Sequence, residues 1–179
     1  MHRRPLLELL AQYRSLDGDD LRACGRIAEF VRRHDDCFQR ALAIGHVTAS
    51  AWIVDGVRGR VLLTHHRKLD RWLQLGGHVD GSPDVLAAAL REAREESGLA
   101  EVRAARPDIF DCDVHGIPAR DDEAAHDHYD VRFLLEADSR LPLVVSEESN
   151  DLAWVAFDAV PRLAPGDRSM LRMLDKTPR

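Results

Sequence analysis

The stretch with the clearest chemical potential is residues 90–99, LREAREESGL, which places Glu92, Glu95 and Glu96 close together. On a helix that turns about 100° per residue, these glutamates fall within an arc of about 100°. The neighbouring arc carries Leu90 and Ala93, so the helix can bury one side while its acids line a cleft. Mg²⁺ prefers carboxylate oxygens and commonly shares its remaining positions with water and substrate phosphate. The spacing alone is compatible with a metal site and equally with a solvated helix face.

The surrounding pattern predicts an α/β domain. Ser82 as N-cap, Pro83 as the first helical residue and Gly98 just past the end predict a helix between them. Apolar residues at helical spacing predict helices at 5–14, 19–33, 85–97 and 167–176. β-rich runs predict strands at 46–54, 60–66, 71–77, 108–117, 129–137 and 151–157, the first two forming a hairpin or paired strands. Two amphipathic helices therefore precede the main domain.

Length, charge and hydropathy argue against several classes of protein. The 179 residues, 45% apolar and 31% charged, fit one main domain with short extensions, and the net charge of −6 argues against a stable nucleic-acid partner. No run approaches the roughly 18 to 20 apolar residues of a membrane helix, and no secretory signal is evident, so we expect a cytoplasmic protein without a membrane partner. We interpret Cys24, Cys37 and Cys112, which lack CxxC spacing, as reduced core thiols.

Residues 77–99, GHVDGSPDVLAAALREAREESGL, resemble the signature box of the Nudix hydrolases. The pattern is Gly, five residues, Glu, seven residues, then Arg-Glu-aliphatic-any-Glu-Glu-any-Gly-aliphatic. The chain departs from it at Pro83, which replaces the first glutamate beside Asp84, and this puts the support of the loop in doubt more than the chemistry. The resemblance covers about residues 45–160 and implies a Nudix-type α/β/α sandwich with a mixed sheet. Residues 1–44 would form an N-terminal helical extension, and residues 161–179 a C-terminal helix packed on the same domain.

The resemblance also implies site residues and a reaction. Glu92, Glu95 and Glu96 would bind Mg²⁺ or Mn²⁺, with the backbone oxygen of Gly77 and an acid before the last strand, for which we favour Glu148 over Glu147. Arg91 would hold the glutamates in place. The predicted catalytic residues are Glu92, Glu95 and Arg91, with Glu92 as the preferred general base. The reaction would be attack of water on a diphosphate bridge, in a nucleoside diphosphate linked to a group X or a similar small molecule.

Histidines form a second candidate set: His46, His78, His126 and His128. Each one alone is typical of a surface or hydrogen-bonded histidine. Together, HVTASAW, GGH and HDHYDVRF resemble the metal-binding segments of type 1 isopentenyl diphosphate isomerase, a Nudix relative. That resemblance implies a second, imidazole-rich site for Zn²⁺, Mn²⁺ or Fe²⁺. The isomerase activity itself is disfavoured, because its catalytic cysteine would fall at Gly76.

Other residues are candidates for substrate contact or assembly. Arg67 and Trp72, in the basic segment THHRKLDRW, could receive a phosphate or stack a base, and Arg120 could contact a phosphate. A basic turn with one buried tryptophan explains the same segment. A non-catalytic nucleotide sensor remains the alternative function, although the retained glutamates argue against it. The stripe of Leu6, Leu9, Leu10 and Tyr13 predicts either core or dimer packing, so a homodimer stays open.

Overall fold

The computed structural model describes residues 2–57, 59–119 and 124–178. Arg120, a predicted substrate contact, therefore lies outside the described residues. The helices are α1 (Arg4–Gln12), α2 (Gly18–Arg33), α3 (Val85–Ser97), α4 (Val160–Leu163) and α5 (Arg168–Lys176). The strands are β1 (Gly45–Asp55), β2 (Arg60–His66), β3 (Arg71–Leu73), β4 (Leu75–His78), β5 (Arg103–Ala104), β6 (Asp111–Ile117), β7 (His126–Ala137) and β8 (Ser149–Ala156). None of these helices is long and apolar enough to cross a membrane.

β1 lies at the centre of a mixed sheet. It pairs in parallel with β7 along its whole length and antiparallel with β2 and β4. β7 also pairs with β5 and β6, and β2 also pairs with β3 and β8. Every residue of β1 is buried, as expected for a strand that is covered on both faces. The predicted pairing of the first two strands is confirmed.

Helices cover both faces of this sheet. On one face Val47, Ala49, Ala51 and Ile53 of β1 pack in a core that also contains buried residues of α1, α2 and α3. On the other face Trp52 and Val54 pack with buried residues of α4 and α5. Alternate residues of β1 thus point to opposite helix layers, which is the period of a strand. The predicted α/β/α sandwich with a mixed sheet is confirmed.

The N-terminal helices are part of the main core. Leu6, Leu10 and Tyr13 of the predicted stripe are buried, and Ile27 and Val31 of α2 have no exposed surface. The stripe therefore packs in the core, which is one of the two alternatives that its spacing leaves open. Burial of these apolar faces stabilises the fold because it removes apolar surface from water.

A buried ionic network joins α2, β6, β7 and α5. Arg132 pairs with Asp111, Asp113 and Asp130, while Lys176 pairs with Asp20 and Asp111 at 2.6 and 2.9 Å. Tyr13 Oη donates to Asp20 Oδ2 at 2.5 Å, which adds the segment after α1. Buried charges are tolerated when they are paired, and each of these charged groups has an opposite partner, which for all but Asp130 lies on an element distant in sequence. Within the described residues, Asp20 Oδ1 is the atom of this network that is buried without a hydrogen-bond partner.

Several predicted boundaries need correction. The N-cap of α3 is Asp84, which accepts from Ala87 N at 2.9 Å, so Pro83 precedes the helix and Ser82 instead accepts from Asp84 N at 3.3 Å. Residues 71–77 form two strands with different partners, β3 on β2 and β4 on β1, because the chain changes neighbours between them. Gly98 ends α3 with φ 72°, as predicted, and the three cysteines are buried free thiols. The short β5 and α4 were not predicted.

Candidate active site and histidine cluster

The glutamates of α3 face the two glycines of β4. A Cβ at Gly77 would lie 2.7 Å from Glu92 Oε2, so the backbone of β4 touches this carboxylate directly. Gly76 N donates to Glu96 Oε2 at 3.4 Å. Gly76 has φ 143°, and a Cβ there would lie 2.5 Å from Ser50 Cα of β1. Gly76 requires glycine because its φ is positive and a Cβ would meet the backbone of β1, whereas a Cβ at Gly77 would displace the end of the Glu92 side chain.

Arg91 connects this helix to the strand and to its own acidic neighbours. Its Nη1 lies 2.9 Å from Glu92 Oε1 and 3.1 Å from Glu95 Oε2. Its Nη2 donates to the main-chain oxygen of His78 at 2.7 Å and contacts Asp80 Oδ2 at 3.4 Å. A guanidinium can bridge several acceptors in this way because its donors point in a fixed fork.

The two inner carboxylates resist ionisation in the absence of a cation. Burial raises the pKa of Glu92, although Arg91 opposes this effect. Burial, followed by the charge of Glu92, raises the pKa of Glu96 to about 8. Carboxylate oxygens crowded beside a main-chain segment are the donors that Mg²⁺ and Mn²⁺ prefer, and a divalent cation there would offset the repulsion. The residues present therefore fit such a metal.

The predicted acidic set is looser than the sequence pattern suggests. Glu95 is exposed and paired with Arg91, whereas Glu92 and Glu96 are half-buried. Glu148 lies in the exposed turn before β8, near enough for its charge to contribute to the raised pKa of Glu96. Among the described residues, these glutamates do not bring three ligand atoms within 4.8 Å of one another. Glu92 and Glu96 form the inner pair, and Glu95 and Glu148 lie at its edges.

The predicted histidines do converge. Ligand atoms of His46, His78 and His128 all lie within 4.8 Å of one another, the only such group of three among the residues described. His126 is adjacent, with its Nε2 3.3 Å from His128 Nε2. His46 is 1% exposed and the other three are half-buried.

His115 is a member of this neighbourhood that the sequence analysis missed. Its ring lies 5.5 Å from that of His128, and its Nδ1 lies 3.1 Å from Asp113 Oδ2. The alternation of Asp111, Asp113 and His115 along β6 was the available signal, since it puts all three on one face. Burial, and then the charges of the surrounding histidines, lower the pKa of His128 to about 2, so this imidazole stays neutral at physiological pH.

The predicted substrate residues lie at the β2–β3 side. Arg67 is engaged by β8, donating to Ser149 O at 3.0 Å, so it braces the segment that carries Glu148. Trp72 is half-buried, with its ring 5.3 Å from that of His65. Trp72 and His65, with Leu163 and Pro165, line a cavity of about 410 Å³, and Arg67 is not part of its wall. A larger cavity of about 870 Å³ lies at the end of β1 near Asp55, and none of the predicted site residues that the structure describes lines it.

Comparison with known proteins identifies the family. The family model described as NUDIX domain matches residues 45–174. The fold is similar to a C. elegans Ap4A hydrolase at 19% identity, with a TM-score of 0.58 and coverage of 73% of this chain and 93% of that one. A MutT NUDIX hydrolase from Burkholderia pseudomallei is 26% identical, with a TM-score of 0.53 and coverage of 75% and 98%. The E. coli dihydroneopterin triphosphate pyrophosphohydrolase is 17% identical, with a TM-score of 0.55 and coverage of 72% and 92%. None of the curated proteins matches the chain in sequence.

The chain belongs to the Nudix family, because the matched segment covers well over half of it and includes the whole acidic helix. It is a hydrolase that acts on acid anhydrides of phosphorus. The family assignment made from the box is confirmed.

Proposed function

We propose that this protein is a Mg²⁺- or Mn²⁺-dependent pyrophosphohydrolase that cleaves the diphosphate bridge of a nucleotide-type small molecule. The observation that carries the proposal is the pair of half-buried carboxylates, Glu92 and Glu96, which lie against Gly77 and Gly76. Crowded buried acids are unfavourable unless a cation or a proton compensates them. A hydrolase of phosphate anhydrides uses such a place to hold a metal and a reacting water.

The roles of the residues follow from their positions. Glu92 is the general base, since it is half-buried and fixed between Arg91 and the β4 backbone. Glu96, with Glu95 and Glu148 at the edge, supplies carboxylate oxygens for the metal, and the backbone oxygen of Gly77 adds another donor. When bound, the metal would neutralise the phosphates and lower the pKa of water.

Arg91 is a positioning residue. It keeps Glu92 at the β4 backbone while its contact with Glu95 restrains the outer glutamate. Correct placement matters because a misplacement of about 1 Å can reduce a rate by about 10²-fold. We propose that Trp72 stacks the base or the X group and that Arg120 contacts phosphate, whereas Arg67 holds the Glu148 turn.

A product-release screen tests the proposal. Dinucleoside polyphosphates, nucleoside triphosphates and pterin triphosphates are the first compounds, because they are phosphate anhydrides of nucleotide-like molecules. The parent should release product with Mg²⁺ or Mn²⁺, and Glu92→Gln should lower the rate by about 10²- to 10⁴-fold. Glu96→Gln should also be impaired, whereas Glu101→Gln, a matched change at an exposed glutamate, should not.

Two outcomes would overturn parts of this assignment. Hydrolysis by Glu92→Gln at the rate of the parent would remove Glu92 as the base. Binding of these compounds without turnover, at any metal concentration tested, would replace hydrolysis with a nucleotide-sensing function.

A further inference from the structure

We propose that His46, His78 and His128 form a second metal site, selective for a borderline first-row transition ion such as Zn²⁺ and separate from the carboxylate site. This inference does not rest on the proposed function, because it concerns different ligands and a different face of the sheet. His126 is positioned to supply a fourth ligand.

Strand register explains why residues far apart in sequence meet here. His46 of β1 is directly opposite His128 in the parallel pairing with β7. His78 of β4 is paired with Thr48, two residues further along β1, whose side chain shares the face of His46. Three neighbouring strands thus present imidazoles to one side of the sheet. Backbone hydrogen bonds of the sheet hold all three ligands in place, which is the preorganisation a metal site needs.

The spacing of the ring nitrogens suits tetrahedral coordination. With metal–nitrogen bonds of about 2.0 to 2.1 Å, two nitrogens on one tetrahedral ion lie about 3.3 to 3.4 Å apart. His126 Nε2 and His128 Nε2 are 3.3 Å apart. The three nitrogens of His46, His78 and His128 lie within 4.8 Å of one another, so small side-chain rotations bring them onto one ion. The fourth position is then filled by His126 or left for water.

The chemistry of the donors separates this site from the first one. Among the described residues, this group of possible ligands consists of imidazoles alone. Neutral imidazole nitrogen suits Zn²⁺, Fe²⁺ and other transition ions, whereas Mg²⁺ prefers oxygen. The carboxylates of α3 offer oxygen only. The two sites therefore differ in the hardness of their ligands and select different ions.

The two sites share a strand but lie on opposite sides of it. Gly77 faces Glu92 of α3, while the next residue, His78, points to the other face of the sheet with His46. Because Arg91 donates to the main-chain oxygen of His78, a change in the position of His78 is transmitted to the acidic helix. A metal bound by the histidines would hold β4 against β1 from the face opposite to the glutamates.

Metal binding to the full-length protein is the test, independent of hydrolysis. Protein stripped with a chelator is titrated with Zn²⁺ by calorimetry, and with Co²⁺ while its visible absorption is recorded. The parent should bind one Zn²⁺ in the site and give a tetrahedral Co²⁺ spectrum. His46→Ala and His128→Ala should each weaken binding by more than about 10-fold, since even the loss of a residue that only supports a ligand costs about 10- to 100-fold in affinity.

Controls keep the result interpretable. His34→Ala changes a histidine at the end of α2, outside the cluster, and should bind Zn²⁺ as the parent does. Glu92→Gln should also keep the Zn²⁺ site, so a failure of the hydrolase proposal leaves this one intact. A melting curve of His128→Gln shows whether this variant is folded. A folded His128→Gln variant that has lost Zn²⁺ binding supports the proposal. The proposal is overturned if stripped parent binds no Zn²⁺ or Co²⁺, or if folded His46 and His128 variants bind like the parent.

Discussion

Arg91 donates a 2.7 Å hydrogen bond from Nη2 to the main-chain oxygen of His78. This bond ties the helix that carries the glutamates to the strand that carries a cluster histidine. The same guanidinium contacts Glu92 and Glu95, so one side chain spans the acidic helix and β4. The position of Glu92 therefore depends on a side chain that is itself held by the β4 backbone.

Replacing Arg91 should impair turnover more than folding. Arg91→Lys keeps the charge but loses the fork, and we expect kcat/KM to fall by about 10-fold; Arg91→Met should lower it by about 10²-fold. Steady-state kinetics on the preferred substrate, with circular dichroism to confirm the fold, measure this. Arg33→Lys, in an exposed pair with Glu29, is the matched control and should leave kcat/KM unchanged. Equal activity of Arg91→Met and the parent would show that the bridge has no role in positioning.

Divalent cations should stabilise the parent through the acidic helix. A ligand that binds only the folded state adds about 2.7 kcal/mol to the free energy of unfolding at 100 times its Kd. Thermal melts over a range of Mg²⁺ and Mn²⁺ concentrations should therefore show a rising Tm. Glu92→Gln and Glu96→Gln should reduce that rise, while exposed Glu101→Gln should retain it. A Tm increase that is the same in all four proteins would place the cation elsewhere.

The N-terminal helices should contribute strongly to stability. Ile27 has no exposed surface and lies in the core cluster shared with the sheet. Ile27→Ala removes buried apolar atoms and leaves a cavity, so we expect a loss of about 2 to 5 kcal/mol in the free energy of unfolding. Urea denaturation measures it, and Leu16→Ala, at a fully exposed position, should change stability by less than about 0.5 kcal/mol. A small effect of Ile27→Ala would mean that residues 1–44 form an independent extension.

Acid should lower the free energy of unfolding by protonating Asp113 in the buried ionic network. Burial alone would raise the pKa of Asp113, but the hydrogen bond with His115 and the charge of Arg132 outweigh it and lower the pKa to about 2. A lowered folded-state pKa gives stability that is complete above the unfolded value near 4 and is lost as the pH falls towards 2, on the order of 2 kcal/mol for this group. Urea midpoints between pH 5 and pH 2 measure the slope.

Asp113→Asn is the control for that slope. The variant cannot lose a charge at this position, so its stability should fall less steeply with acid than that of the parent, although it starts lower at pH 6. Parallel curves for parent and variant would show that Asp113 does not contribute to the acid response.

The acidic helix could be predicted from the sequence because its features are local. One helix carries Arg91, Glu92, Glu95 and Glu96, so their spacing alone sets their relative positions. Gly98 ends this helix because glycine readily adopts the left-handed conformation of a helix C-cap. The N-cap shifted from Ser82 to Asp84, since both residues can cap a helix and the path of the loop decides between them. Propensity and period reach across about one turn, so the grouping of the distant histidines was predicted only from the family resemblance.

The contacts within the histidine cluster depend on the pairing of the strands. His46 and His128 are 82 positions apart in the sequence, yet the parallel register of β1 and β7 places them side by side. A slip of one residue would turn either side chain to the opposite face, and nothing local in the two segments specifies that register. Strand pairing also brings His115 next to His128 and places Arg67 against β8. The sequence by itself determined which chemical groups are present and which lie on one helix. The tertiary structure decided which of them meet, because strand pairing and burial set the distances between elements.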